Sequence, residues 1–319
     1  MKLLDISLDD INLDDERFRF SYHFDIEKLL ISIKKIGLIS PLLVVKREGP
    51  QYVIVSGWKR VLACLELSSM CVPAFLLEEE DDCRVFLLSL YENWAIRNFN
   101  ILEKAEILLK LNGFMRDEKK IVKELFPFLD IPANLSYFDI YLKMALLDST
   151  WKKIIFQKKI PLLSAQLLTE FTPEDRERLL PLIMPMNINK LKQFIEDLYE
   201  LSQKTGDSLK TLLSTPEILS VSQSDNLSSL QKAEKFRSLI RAKRYPTLSS
   251  WKKTFDTSIK KAQLSKEVAF DSASFFEDAE FAVNFSLRDK EDFQKRLSKL
   301  QKLVVDEDLF SLFKSFPDG

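Results

Sequence analysis

Two short groups of residues in the first third of this 319-residue chain have the types and spacing to hold a phosphate-bearing ligand. The first is Ser56-Gly57-Trp58-Lys59-Arg60, where a β-rich run gives way to helical periodicity. A glycine at such a junction lets a ligand approach the backbone, while the first free helix N–H groups and the helix dipole favour negative charge. Lys59 and Arg60 would add charge-assisted bonds to phosphate oxygens. The second group is Glu92-Asn93, a carboxylate beside an amide. Such a pair can ligate Mg²⁺ through oxygen and leave the ion to bridge phosphates. Each group has a plainer alternative, a strand-to-helix turn with solvated basic residues in one case and a loop-capping pair in the other.

The elements that must position these groups are legible as patterns. Apolar residues at Leu29, Leu30, Ile33 and Ile36 predict a helical face over Phe24–Ile36, with Gly37 where a positive-φ C-cap belongs. Pro41–Lys46 and Gln51–Ser56 are β-rich runs around Glu48-Gly49-Pro50 and predict a hairpin. Trp58–Leu67 reads as a helix with Cys64 on its apolar face, and Val72–Leu77 reads as a strand that ends in the acidic run Glu78–Asp82. A further helix is expected to about Tyr91. Asn100 and Glu103 have the spacing of a capping box for a helix over Ile101–Leu111.

Composition excludes several classes. The 46% apolar and 30% charged content is that of a globular protein, and only 6 glycines among many leucines, lysines and glutamates favour a helical body. No run approaches the roughly 18 apolar residues of a membrane span. Residues 1–25 are rich in aspartate, the reverse of a signal or transit peptide, so a cytoplasmic location is expected. Cys64, Cys71 and Cys83 lack C-x-x-C spacing, which disfavours a zinc site or disulfide framework. With His23 as the single histidine, most metal-ligand and Ser-His-Asp schemes lack parts, and His23 is expected to be structural and exposed.

The elements also arrive in a familiar order. Ile33…Gly37-Leu-Ile-Ser40-Pro41, then Tyr52…Gly57-Trp-Lys-Arg60, Ala63, Val72-Pro73, Glu92-Asn93 and Asn100…Glu103-Lys-Ala105 together resemble the N-terminal domain of the ParB family of partition proteins. The resemblance runs over about residues 5–112. It implies a mixed α/β domain sharing the sulfiredoxin fold, with CTP and Mg as ligands. Gly37, Ser40 and Pro41 would form a pocket wall, Gly57, Lys59 and Arg60 would contact phosphates, and Glu92 and Asn93 would hold the metal. The chain departs from the family pattern at four places. Trp58 and Lys59 replace Glu and Arg in the usual Gly-Glu-Arg-Arg, Ser40 replaces a glutamine, and the arginine expected at Ile96 falls at Arg97. Lysine keeps the charge but loses bidentate geometry. Sulfiredoxin's nucleophilic cysteine would fall at Trp58, which has no thiol.

Beyond residue 112 the pattern is helical, with breaks expected at Pro127, Pro132, Pro161, Pro173, Pro181 and Pro185. The resemblance implies a helix-turn-helix, supplied by Asp117–Leu129, a turn at Ile131–Ser136, and Tyr137–Leu147. Its recognition helix offers Lys143 as its one base, where groove-reading helices present several. Residues 232–266 hold eleven basic residues against Glu234 and Asp256, inside a chain of net charge −1. Arg237, Arg241, Lys243, Arg244, Lys252 and Lys253 are therefore the stronger candidates for salt-dependent DNA contact. Phe275, Phe276, Phe281, Phe285, Phe293, Leu297, Leu300 and Leu303 mark the apolar side of the tail.

The expected fold is α+β: a small ParB/sulfiredoxin-like domain over 1–112, then mostly all-α regions. Those are a helix-turn-helix-like domain over 113–205, a linker over 206–230, and a helical module over 231–319. The expected function is a homodimeric, cytoplasmic DNA-binding protein of the partition or transcription-regulator type, nucleoid-associated, with CTP·Mg as a switch. The alternatives are a protein-interaction module that has lost nucleotide chemistry, or a nucleotide-using nuclease or kinase. No strong catalytic constellation is present, and a slow CTPase is the most that these residues suggest.

Overall fold

A computed structural model of the chain describes residues 1–261, 269–271, 282–284 and 289–304. They divide into two compact units, Met1–Thr172 and Pro173–Gly319.

The first unit is built on a five-stranded mixed sheet. Its strands are β1 (Lys2–Ser7), β2 (Ile11–Asn12), β3 (Leu42–Lys46), β4 (Tyr52–Ser56) and β5 (Cys71–Leu77). They lie in the order β1-β5-β3-β4-β2, with β3–β4 and β1–β5 antiparallel and β3–β5 and β2–β4 parallel. The predicted hairpin is β3–β4. Sequence patterning missed β1, because the acidic residues of the N-terminus mask the spacing of Leu4 and Ile6. Helix α1 (Glu27–Ile36) enters β3, and α2 (Trp58–Glu66) leaves β4. Leu42, Val44 and Ile54 meet Val61 and Cys64 of α2 in a core that also takes Ile6, Val72 and Ala74. Strands β3 and β4 are apolar almost throughout and buried on both faces, with Leu42, Val44 and Ile54 packed with α2 residues, while α3 (Asp82–Trp94) packs against β4.

Helix α4 (Ile101–Met115) opens with the predicted capping box: Asn100 accepts from the Leu102 and Glu103 N–H groups, and Glu103 accepts from the Asn100 N–H. It runs through the boundary expected at residue 112, since the 102-105-108 apolar spacing continues to Leu111 and Phe114 and outweighs the helix-disfavouring Gly113. Helices α5 (Glu118–Leu125), α6 (Leu135–Ala145), α7 (Ser149–Lys158) and α8 (Leu162–Thr169) complete the unit. A 3₁₀ turn, Pro127–Leu129, separates α5 from α6.

The second unit holds α9 (Pro173–Ile183), α10 (Ile188–Thr205), α11 (Leu209–Leu213), α12 (Pro216–Ser222), α13 (Ser229–Arg244), α14 (Pro246–Lys261) and α15 (Lys290–Val304). Strands β6 (Ala269–Asp271) and β7 (Ala282–Asn284) pair antiparallel, within a region expected to be wholly helical. Two other expectations are corrected. Pro181 lies inside α9 and does not end it. The expected linker over 206–230 carries α11 and α12, which bury Leu209, Leu212, Leu213, Ile218 and Val221. Helical spacing of these few apolar residues outweighs the polar composition around them. Phe275, Phe276, Phe281 and Phe285 lie outside the described residues, as do the side chains of Leu300 and Leu303. Phe293 and Leu297 are exposed.

Helices α10 and α13 are joined by ion pairs. Glu234 accepts from Lys190 and from Arg237, and Arg244 reaches both Asp197 and Glu200. The Lys190 bond, with Arg237, holds the Glu234 carboxyl below its usual value of 4.5. A carboxylate with a depressed folded-state pKa stabilises above its unfolded pKa, and that contribution is lost as pH falls through the folded value. Glu234→Gln should therefore lower the thermal midpoint at neutral pH, and the gap from wild type should close as pH falls below 4.5, followed by circular dichroism.

Candidate functional site

The junction between β4 and α2 is shaped by one backbone conformation. Gly57 is the N-cap of α2 with φ +112°, and no side chain caps the helix. A Cβ at this position would stand 2.6 Å from Leu42 Cδ2 and 3.2 Å from Arg60 Nε. Leu42 is fully buried, so it cannot move aside. The missing side chain thus lets the Arg60 guanidinium fold back over the glycine. There it donates to the Ser40 carbonyl at 3.1 Å and to the Pro41 carbonyl. Burial pushes the Arg60 guanidinium below its ordinary pKa, and the Glu92 carboxylate works against that shift.

These contacts frame a cleft of about 640 Å³. Seven of the eight residues proposed from sequence line it: Gly37, Ser40, Gly57, Lys59, Arg60, Glu92 and Asn93. Pro41 stays outside the lining and contributes its carbonyl to Arg60. Gly37 ends α1 at φ +74°, and its N–H donates to the Ile33 carbonyl. Lys59 is exposed at the mouth. The apolar face predicted on α1 has an unexpected use. Leu29, Ile33 and Ile36 line the cleft, and none of the α1 residues is fully buried.

Glu92 and Asn93 lie within α3, where a helix ending near Tyr91 was expected. Their neighbours fix the helix orientation. Tyr91 and Trp94 pack edge-on against Phe128 at 5.5 and 5.3 Å, while Ser89 donates to the Val55 carbonyl at 2.8 Å. Asn93 donates to the Ser89 carbonyl at 2.9 Å, and its Oδ1 accepts a long 3.4 Å bond from Arg97. Arg97 makes a two-pronged bond to buried Glu103 at 2.8 and 2.9 Å and also reaches Ser21 Oγ. The displaced arginine of the sequence pattern is thereby a tie between α3, α4 and residues 18–24.

That 18–24 segment was missed by sequence reasoning. Phe18, Phe20, Tyr22 and Phe24 alternate with Arg19, Ser21 and His23, and the period of two was the available signal. Phe18 and Phe20 are buried, and Arg19 lies over the Phe24 and Trp58 rings at 4.8 and 5.2 Å while pairing with Glu16. Trp58 is itself buried, and its Nε1–H has no hydrogen-bond partner among the described residues.

Among the described residues no group of three or more His, Cys, Asp or Glu side chains is arranged to hold a metal. Two oxygen ligands suit Mg²⁺ only when ligand phosphates and water complete its octahedron. Glu92 and Asn93 offer two oxygens of this kind, of which Asn93 Oδ1 already accepts from the Arg97 guanidinium.

The candidate DNA contacts fare unevenly. Lys143 pairs with Glu170 at 2.8 Å. Arg237 pairs with Glu234, Lys243 with Glu217 at 3.7 Å, and Arg244 with Asp197 and Glu200. Arg241, Lys252 and Lys253 are exposed and make no ion pair among the described residues. Lys266 lies outside them.

A mixed α/β domain with a bare helix N-terminus facing a basic cleft is the class of protein defined here. Residues 2–94 match the family model of the ParB N-terminal domain. The chain is 34% identical over 104 residues to a probable chromosome-partitioning protein ParB of Borreliella burgdorferi, covering 33% of this chain and 39% of the relative. It is 30% identical over 104 residues to a nucleoid occlusion protein of Bacillus thuringiensis, covering 32% and 36%. The chain thus spans under two fifths of the length of these two curated relatives. Among solved structures, a C-terminally truncated ParB of Caulobacter crescentus complexed with CTP-gamma-S matches with TM-score 0.28 and 19% identity, over 53% of this chain and 93% of that one.

The φ of Gly57 gives a direct test. Gly57→Ala would force a Cβ into Leu42 and a left-handed conformation that alanine avoids, a cost of order 1–3 kcal/mol. Urea unfolding should show a loss of that size.

Proposed function

We propose that this chain is a ParB-like, nucleotide-dependent DNA-binding protein of the partition or nucleoid-occlusion type. The observation that carries the reading is the convergence of Gly37, Ser40, Gly57, Lys59, Arg60, Glu92 and Asn93 on one cleft at the bare N-terminus of α2. A triphosphate there would meet the helix dipole, the uncapped N–H groups and the Lys59 ammonium. Arg60 already gives one nitrogen to the Ser40 and Pro41 carbonyls, so its remaining donors would face the ligand. Glu92 and Asn93 would hold Mg²⁺ against the phosphates. The ion would neutralise phosphate charge in the cleft. CTP is the nucleotide that the family resemblance favours.

DNA contact would come from Arg241, Lys252 and Lys253, whose charges are not spent inside the protein, with α5 and α6 as a helix-turn-helix remnant. A homodimer and a nucleoid location accompany this reading. One observation favours the rival reading of a protein-interaction module: Ile36, Ile39 and Ile96 stand exposed on the cleft lining, 63%, 73% and 77% accessible. A partner side chain would gain by covering them.

Calorimetric titration with CTP, ATP and GTP in Mg²⁺ tests the nucleotide reading. CTP is expected to bind, and Lys59→Ala, at an exposed position with little folding cost, should weaken it about tenfold, the loss of one charge-assisted contact. Absence of binding by all three nucleotides would leave the interaction module as the better account. For DNA, Lys252→Glu/Lys253→Glu should flatten the slope of log affinity against log salt by about two, one per lost phosphate contact. An unchanged slope would remove these lysines from the interface.

A further inference from the structure

A second and larger cleft in the first unit, about 1060 Å³, lies on the other side of the 18–24 segment, against α4 and α7. One wall is aromatic. The Phe156 ring sits 4.9 Å from His23 and 5.6 Å from Tyr22, so it adjoins two further rings. The charges around them are uneven. Glu16 pairs with Arg19, and Glu106 pairs with Lys110 at 3.5 Å. Lys152 and Lys153 line the same cleft and make no ion pair among the described residues. They stand four and three residues before Phe156 on α7, which places both cations beside the ring. The cleft therefore couples unspent positive charge to flat apolar faces.

This pairing of features suits a particular chemistry. Aromatic faces accept unstacked bases, and adjacent lysines accept the phosphates between them. Duplex DNA offers base edges in its grooves and keeps the base faces stacked. The volume exceeds that of the first cleft and reaches the upper end of pockets for drug-sized ligands, so a lone mononucleotide would leave it underfilled. We propose that this cleft takes a short single-stranded nucleic-acid segment, with a base against the Tyr22–His23–Phe156 rings and flanking phosphates on Lys152 and Lys153. The stacking rings and the two lysines all lie outside the lining of the first cleft, although the two clefts share Arg19, Phe20, Ser21 and Phe24.

Photocrosslinking locates such contacts. The full chain is mixed with an oligothymidylate of about eight nucleotides carrying one 5-iodouracil, irradiated, and mapped by peptide mass spectrometry. Crosslinks are expected in peptides covering residues 16–24 and 149–158, and they should persist in Lys59→Ala, which alters the first cleft at an exposed position. Anisotropy titration with the same strand should show affinity falling about fivefold or more in Phe156→Leu and in Lys152→Ser/Lys153→Ser, the loss typical of a base stack or phosphate contact. The lysine variant changes surface charge alone, so it separates lost binding from lost folding. Crosslinks confined to residues 232–261, or affinity unchanged in both variants, would overturn the proposal. So would 5-iodo-dUMP labelling the same peptides as efficiently as the strand, since a free nucleotide would then be the ligand.

Discussion

Much of the first unit hangs on the contact between the Arg60 guanidinium and the bare backbone of Gly57. Because the glycine has no side chain, the guanidinium can lie on it and donate to the carbonyls at Ser40 and Pro41. One cation thereby ties the start of α2 to the turn between α1 and β3. It also stands in the field of Glu92 at the far side of the cleft. The arrangement accepts a desolvation cost at Arg60 in return for a fixed spacing between two walls. A phosphate site of the kind proposed would need that fixity more than a third mobile cation, since bonds to an oxyanion are strongest from donors already in place.

A second tie does similar work on the opposite wall. Arg97 binds Glu103, which is also the residue that closes the capping box with Asn100. The helix start, the end of α3 and the 18–24 segment are consequently set by one buried carboxylate. Losing the arginine would leave that carboxylate without its partner, which is costlier than never having the pair. The sequence departure at Ile96 and Arg97 is absorbed in this way: the arginine serves the scaffold as well as the lining of the cleft.

How much of this was readable in advance follows from where the signals are local. The β3–β4 hairpin, α2, β5 and the Asn100–Glu103 capping box all rest on short-range chemistry, and each stands where its residues predict. The grouping of these residues was legible because the glycine, basic pair and carboxylate-amide pair sit in compact motifs, and they do line one cleft. Strand β1 and the 18–24 segment were not, since an edge strand among aspartates and an extended aromatic run owe their places to distant partners. The same holds for the basic segment. Helical spacing showed a row of cations, but the acids that neutralise Arg237, Lys243 and Arg244 lie on α10, α12 and α13. Net charge along a sequence window counts such cations as available when folding has already spent them.

Trp58 takes the place where the family pattern has an acid. Its indole is buried in the cleft wall, an arginine lies over its face, and its N–H lacks an acceptor among the described residues. Indole emission depends on local polarity and on nearby charge. The substitution has therefore placed an optical probe in the wall of the cleft, one whose colour and brightness would report a ligand there without any added label.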